Sequence, residues 1–184
     1  MRDMSKKYIQ SENNQAIFQC EILKNIIIPV AFKLNDSGKA TMEMYNIEYA
    51  IVVSQDCDLE RDFEFRSDSE ENNKTNKMRQ IILCELRTPE EIDIRRSAEK
   101  EYIKQARHER YYLLEADEEE GLHEEMIVDF KLLFGVDSDF LYEQLSSNKV
   151  EKVTRLCSPY REHFSQRFYN YHSRIGLPER HYST

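Results

Sequence analysis

Tyr49-Ala50-Ile51-Val52-Val53-Ser54 runs directly into Gln55-Asp56-Cys57-Asp58-Leu59-Glu60. The first six residues are an unbroken apolar run closing on a serine, rich in β-branched side chains and too short for an ordinary helix. They read as a buried strand. The polar burst behind them marks the point where the chain leaves a sheet and presents functional groups at its edge.

Upstream, residues 17–34 are β-branched and aromatic and predict one or two strands, with Pro29 forcing a bend or an edge position. Asn35, Asp36, Ser37 and Gly38 form a turn. Downstream, residues 61–78 include an acidic, asparagine-rich stretch with little to bury and predict a mobile loop. Residues 80–86 (QIILCEL) predict the next strand. Thr88, Pro89 and Glu91 carry the pattern of a capping box and predict a helix to about Arg107. Its apolar stripe, Ala98, Tyr102, Ile103 and Ala106, is thin, as for a helix lying on the surface. Residues 110–115 (RYYLLE) read as a strand and 116–121 as an acidic turn. From Met126 to Phe134 alternate residues are apolar, a period of two that predicts a strand. A short helix over 138–146 and an extended segment over 149–156 follow.

The last element is the most strongly marked. Ser158 caps and Pro159 opens a helix that Gly176 and Pro178 stop. Tyr160, Phe164, Phe168, Tyr171 and Ile175 fall in one narrow arc of it, so the helix is docked, on its own sheet or on another chain. The sum is a single α+β domain over 1–184: a small curled sheet or SH3-like barrel over about 16–135, an inserted helix, and a C-terminal helical appendage over about 137–178.

The 184 residues carry 26 cationic and 35 anionic side chains, a formal charge of −9. That sign disfavours a protein that grips nucleic acid over its whole surface. Residues 149–184 nevertheless hold seven cations against three anions, a net +4, which leaves −13 on residues 1–148. The plain reading is a basic end that packs against the acidic body of its own chain. No apolar run is long enough to span a membrane, and the polar start lacks the core of a signal peptide, so a cytoplasmic protein is expected. Cys20, Cys57, Cys84 and Cys157 include no close pair, which predicts reduced thiols and no structural zinc. Glycine-rich phosphate loops, H-E-x-x-H and G-x-S-x-G are absent, and no cofactor is expected.

Two groups of residues stand out as candidate sites. In the first, Asp56 and Asp58 have the chemistry for proton transfer or a divalent cation, Cys57 that of a nucleophile, and Gln55 that of a hydrogen-bond donor. The plain alternative is a structural turn, because aspartates hydrogen-bond neighbouring amides and two flanking anions disfavour a thiolate. Carboxylates two apart on an extended chain point to opposite faces, so only a turn could converge them on a metal. The second group is a polar ribbon beside the aromatic stripe: His163, Arg167, Asn170 and Arg174. It suits phosphate or an acidic partner, unless its arginines lay their stems on the apolar face and point to water. His108 and His123 read as surface histidines.

Glu21-Ile22-Leu23 leading into a β-rich segment, together with YAIVVSQDCDLE, resembles the opening of the PemK/MazF-like family. The pattern LCSPYREHFSQRF…RIGLP resembles that of prokaryotic proteins carrying the same QDCDL-type turn. The resemblance covers about half the chain and implies an SH3-like barrel in a toxin–antitoxin or antiviral defence setting. It also implies a loss: Glu48 and Tyr49 stand where the family carries the Arg-Pro that serves the scissile phosphate. Cys84 and Glu85 occupy the region of its catalytic Ser/Thr. A carboxylate there opposes the negative charge that RNA cleavage builds. The expectation is therefore a non-catalytic binding or regulatory module with a protein partner, contacted through the C-terminal helix or through Gln55 to Asp58. RNA and a second copy of the chain are the alternative partners. The alternative activity is a metal-independent endoribonuclease with a relocated site, Arg155, Arg161 or Arg174 holding phosphate and Asp56 or Asp58 moving the proton. A third reading is metal-dependent hydrolysis at Asp56 and Asp58.

Overall fold

A computed structural model describes residues 6–12, 16–34, 36, 38–67, 77–94 and 96–174. Among these residues seven antiparallel strands form one sheet in the order β1-β7-β2-β3-β4-β6-β5. They are β1 (Tyr8–Gln10), β2 (Glu21–Leu34), β3 (Ala40–Val52), β4 (Gln80–Arg87), β5 (Tyr111–Leu114), β6 (Met126–Asp137) and β7 (Glu151–Leu156). Four helices accompany them among the described residues: α1 (Asp56–Ser67), α2 (Ser97–Lys104), α3 (Ser138–Ser146) and α4 (Tyr160–His172).

The fold is α+β as expected, but the sheet does not close into a barrel. β1 and β5 are its two edges. They approach through side chains instead of a ladder: Tyr8 donates from its hydroxyl to the Glu115 carbonyl at 2.8 Å, and Lys6 pairs with Glu120 at 2.5 Å. Both edges also feed one apolar cluster, which holds Tyr8 and Leu156 from one side and Tyr112, Leu114, Met126 and Phe130 from the other. The sheet therefore curls around that cluster. β7 runs between β1 and β2, so the segment after residue 137 supplies an inner strand.

α4 covers the concave face. Phe164 is 1% exposed, and its ring meets Tyr112 and Phe130 edge-on at 5.2 and 5.7 Å between centroids. Phe168 and Tyr171 lie against Phe130 at 5.8 Å. Phe164 is thus spent inside the chain, and Tyr160, Phe168 and Tyr171 pack half-buried against the same cluster, so of the two dockings expected of this helix the one on its own sheet is seen. Ile175, Gly176 and Pro178 lie outside the described residues. The helix begins at Tyr160 with Pro159 in the cap position and no side-chain cap, not with Ser158 capping. On the convex face α1 and α3 bury Leu59, Leu141 and Leu145 against Leu23, Ala50, Val52, Ile81 and Leu83. α2 brings Ile103 onto Leu113 and Ile127.

Two further expectations are corrected. Residues 61–67 belong to α1, while residues 68–76 of the expected loop lie outside the described residues. α1 has only Leu59 as a fully buried apolar side chain, and its second anchor is Asp62, 0% exposed. Asp62 accepts from Arg66 at 2.9 Å and from the Met78 amide at 2.8 Å, and Arg66 continues to Asp139 at 2.6 Å. The helix predicted from Thr88 is shorter. Thr88 and Glu91 do exchange capping hydrogen bonds, the Thr88 amide to Glu91 at 2.7 Å and the Glu91 amide to Thr88 Oγ1 at 3.3 Å. Asp93 then takes φ +58°, a left-handed value that ends the turn, and α2 starts only at Ser97.

Candidate functional site at the start of α1

β3 ends at Val52, and the chain is held as it leaves the sheet. The Val53 amide donates to the Ile82 carbonyl at 2.9 Å, and Ser54 Oγ accepts the Ile82 amide at 2.9 Å. Gln55 and Asp56 therefore emerge at a fixed place, and α1 starts with Asp56 and Asp58 in its first turn, where carboxylates suit the positive end of a helix. The expected turn is a helix N-terminus.

Three segments meet there. The Gln19 amide donates to Asp56 Oδ1 at 2.6 Å, and Arg161 Nη1 from α4 donates to Asp56 Oδ2 at 2.9 Å. Both carboxylate oxygens of Asp56 are engaged, which leaves it poorly disposed to ligate a cation. Arg161 is shared with Glu162 at 3.0 Å. Gln55 Nε2 donates to the Tyr169 hydroxyl at 2.6 Å. Gln55, Cys57, Asp58 and Tyr169 are exposed. Cys57 Sγ lies 3.7 Å from Gln55 Oε1 and 3.9 Å from Asp58 Oδ1. All four cysteines are free thiols. Burial pushes the Cys20 thiol up to about 12 and raises Cys84 as well, so neither is a nucleophile at neutral pH. Cys84 instead donates to the Asp129 carbonyl at 2.9 Å. Among the described residues, no three His, Cys, Asp or Glu side chains are gathered as metal ligands.

The two residue groups singled out in the sequence lie on opposite flanks of α4. Arg161, Ser165 and Tyr169, four residues apart, share the flank that meets the start of α1. His163, Arg167, Asn170 and Arg174 share the other, towards β5 and the segment before it. There His163 Nδ1 lies 3.4 Å from the Tyr112 hydroxyl, and burial, then Arg167 and Lys7, hold its pKa below the usual histidine value. Arg167 donates to the His108 carbonyl, and Arg174 pairs with Glu109. Asn170 is exposed. The ribbon is therefore largely a clasp within the chain. Arg155 lays its guanidinium on the Phe18 ring at 4.2 Å. Taken with Lys152 on Glu21 and Arg161 on Asp56, these contacts match the self-complementary reading of the basic end. His108 stacks on Tyr111 at 4.6 Å between centroids.

The sequence singled out Gln55, Asp56, Cys57, Asp58 and Arg161 but missed Gln19 and Tyr169. Tyr169 carries a readable signal: it lies two turns after Arg161, on the same flank of the helix. Gln19 acts through its backbone amide, which leaves no mark in the sequence. No protein-family model matches the chain and no curated protein matches it, so nothing in those comparisons points to the PemK/MazF-like family.

Proposed function

We propose that the protein is a non-catalytic binding module acting through protein–protein contacts, with the junction of α1 and α4 as its recognition surface. One observation carries this reading: the cation that α4 brings to the candidate site, Arg161, is held by two carboxylates, Asp56 and Glu162. With Asp58 and Arg61 added, the surface holds three carboxylates and two guanidinium groups. Such a surface repels a phosphate backbone and suits a partner segment bearing cations and hydrogen-bond donors. The exposed Tyr169 ring adds the amphipathic area that protein interfaces favour. A stress or phage-defence role in a prokaryote rests on the resemblance alone.

The second reading, a metal-independent endoribonuclease with a relocated site, draws on the same contact, because Arg161 and Asp56 are the cation and proton carrier it needs. Their mutual neutralisation weighs against it.

The test is partner capture from the native host with the wild-type chain and with Asp58→Arg and Tyr169→Ala, both exposed and outside the core. Each substitution is expected to weaken a specific partner by about tenfold or more, with unchanged circular dichroism. A partner held equally by wild type and both variants overturns the assignment of this surface.

A further inference from the structure

β1 and β5 approach each other without a ladder, and a cleft of about 270 Å³ opens beside them. It lies where the start of β1, the end of β5, α2 and α4 meet, and its lining includes Lys7, Lys104, Leu113 and His163. His163 places it on the flank of α4 that faces away from the recognition surface at α1. The floor is apolar: Ile103, Tyr112 and Leu113 are buried, and the half-buried Tyr160 closes one side. An apolar floor with a few convergent polar groups is the usual make-up of a small-molecule site.

The charges at its rim run against those of the chain. Lys7 and Lys104 share one carboxylate, Glu115, which leaves a net positive charge in a chain of −9. Glu115 Oε1 meets Lys104 at 2.7 Å, while Oε2 lies 3.4 Å from Lys7, longer than the roughly 2.7–2.9 Å of a charge-assisted hydrogen bond. Each ammonium group carries three donors, so one carboxylate does not saturate the pair. Lys7 is held in place over the rings of Tyr8 and Tyr160, at 5.7 and 5.6 Å from their centroids. His163 adds polar atoms without a second positive charge, because burial, Arg167 and Lys7 keep its pKa low.

We propose that this cleft binds a small aromatic monocarboxylate, its ring on the floor of Ile103, Tyr112 and Leu113 and its carboxylate at Lys7 and Lys104. The proposal is independent of the recognition surface at α1 and α4. Size and charge select the ligand class. An apolar cavity of about 150 Å³ takes a benzene ring, so the volume here suits a ring with a short side chain. The excess of one cation suits a single negative charge, and the tyrosine rings suit an aromatic body, which they meet edge-on or offset.

Isothermal titration calorimetry of the full chain tests this, with phenylacetate as the probe and phenylacetamide as its uncharged match. The wild type is expected to bind phenylacetate at one saturable site with a dissociation constant of about 1 mM or tighter, and the amide about tenfold more weakly. Lys104 is 53% exposed, so Lys104→Glu and the milder Lys104→Gln leave the fold intact, as unchanged circular dichroism verifies. Lys104→Glu weakens phenylacetate by about tenfold or more and leaves the amide unchanged, and Lys104→Gln gives a smaller loss in the same direction. The methyl resonances of Ile103 and Leu113 shift as phenylacetate is added, which locates the ring. No saturable binding, equal affinity for acid and amide, no loss in either Lys104 variant, or unshifted Ile103 and Leu113 methyls overturns the proposal.

Discussion

Phe164→Ala is expected to lower the stability of the folded chain by about 3–5 kcal/mol, a large share of the roughly 5–15 kcal/mol available to a domain. Phe164 is the innermost side chain of α4, 1% exposed, with its ring against both Tyr112 and Phe130. Its removal leaves a cavity at the centre of the concave face, where the rings around it belong to strands β5 and β6 and to α4 itself. Urea unfolding followed by far-ultraviolet circular dichroism measures the loss. Tyr169→Ala, one flank away on the same helix, is expected to change stability by about 1 kcal/mol or less, the worth of one exposed hydrogen bond. The contrast separates a helix that is core from a helix that offers a neighbour its face. Equal and small losses at both positions contradict the docking of α4.

Lys152→Met carries the second large effect. Lys152 on β7 and Glu21 at the start of β2 have side chains 0% and 2% exposed and lie 3.3 Å apart. Lys152 also donates to the Ala16 carbonyl at 2.7 Å, and Glu21 accepts the Phe18 amide at 3.1 Å. Removing the cation strands a carboxylate in the interior, at a cost of about 3–5 kcal/mol. Burial already raises the Glu21 pKa against the opposing pull of Lys152, and removing that cation raises it further. A carboxyl whose folded pKa lies above its unfolded value contributes stability that is present below the unfolded value and is lost as pH rises through the folded one. The deficit of Lys152→Met is therefore expected to be smallest near the ordinary glutamate pKa of about 4.3 and to grow towards neutral pH. Adding Glu21→Gln to the variant removes that growth. Urea midpoints across the pH series check both statements, and a pH-independent deficit contradicts them.

Much of the sheet was legible because its strands follow a single period. The alternation from Met126 onwards gave β6, and the short apolar runs gave β4 and β5. The span of α3 was also read directly. β3 was recognised only from Tyr49, because residues 41–48 (TMEMYNIE) are mostly exposed and have no buried face to write a pattern. Their strand character comes from pairing with β2. α1 escaped for a related reason: a buried Asp62–Arg66 pair does the anchoring that an apolar stripe does elsewhere, and composition reads such charge as solvated. Thr88 was read correctly as a local cap, yet the chain turns away at Asp93, so the capping motif starts a turn instead of a long helix.

At the site, the residues were legible and their pairing was not. Asp56 and Arg161 were each singled out, but they are 105 positions apart, and only the docking of α4 brings them together. That docking decides the electrostatics. An arginine standing alone beside the start of α1 offers a phosphate anchor, whereas one held between Asp56 and Glu162 offers little.

The most direct measurement is incubation of the purified chain with a mixed RNA pool, with and without magnesium, alongside Arg161→Ala. Intact RNA is expected in every lane. Cleavage confined to particular sequences by the wild type, and lost in Arg161→Ala, contradicts the reading of a module that binds without cutting.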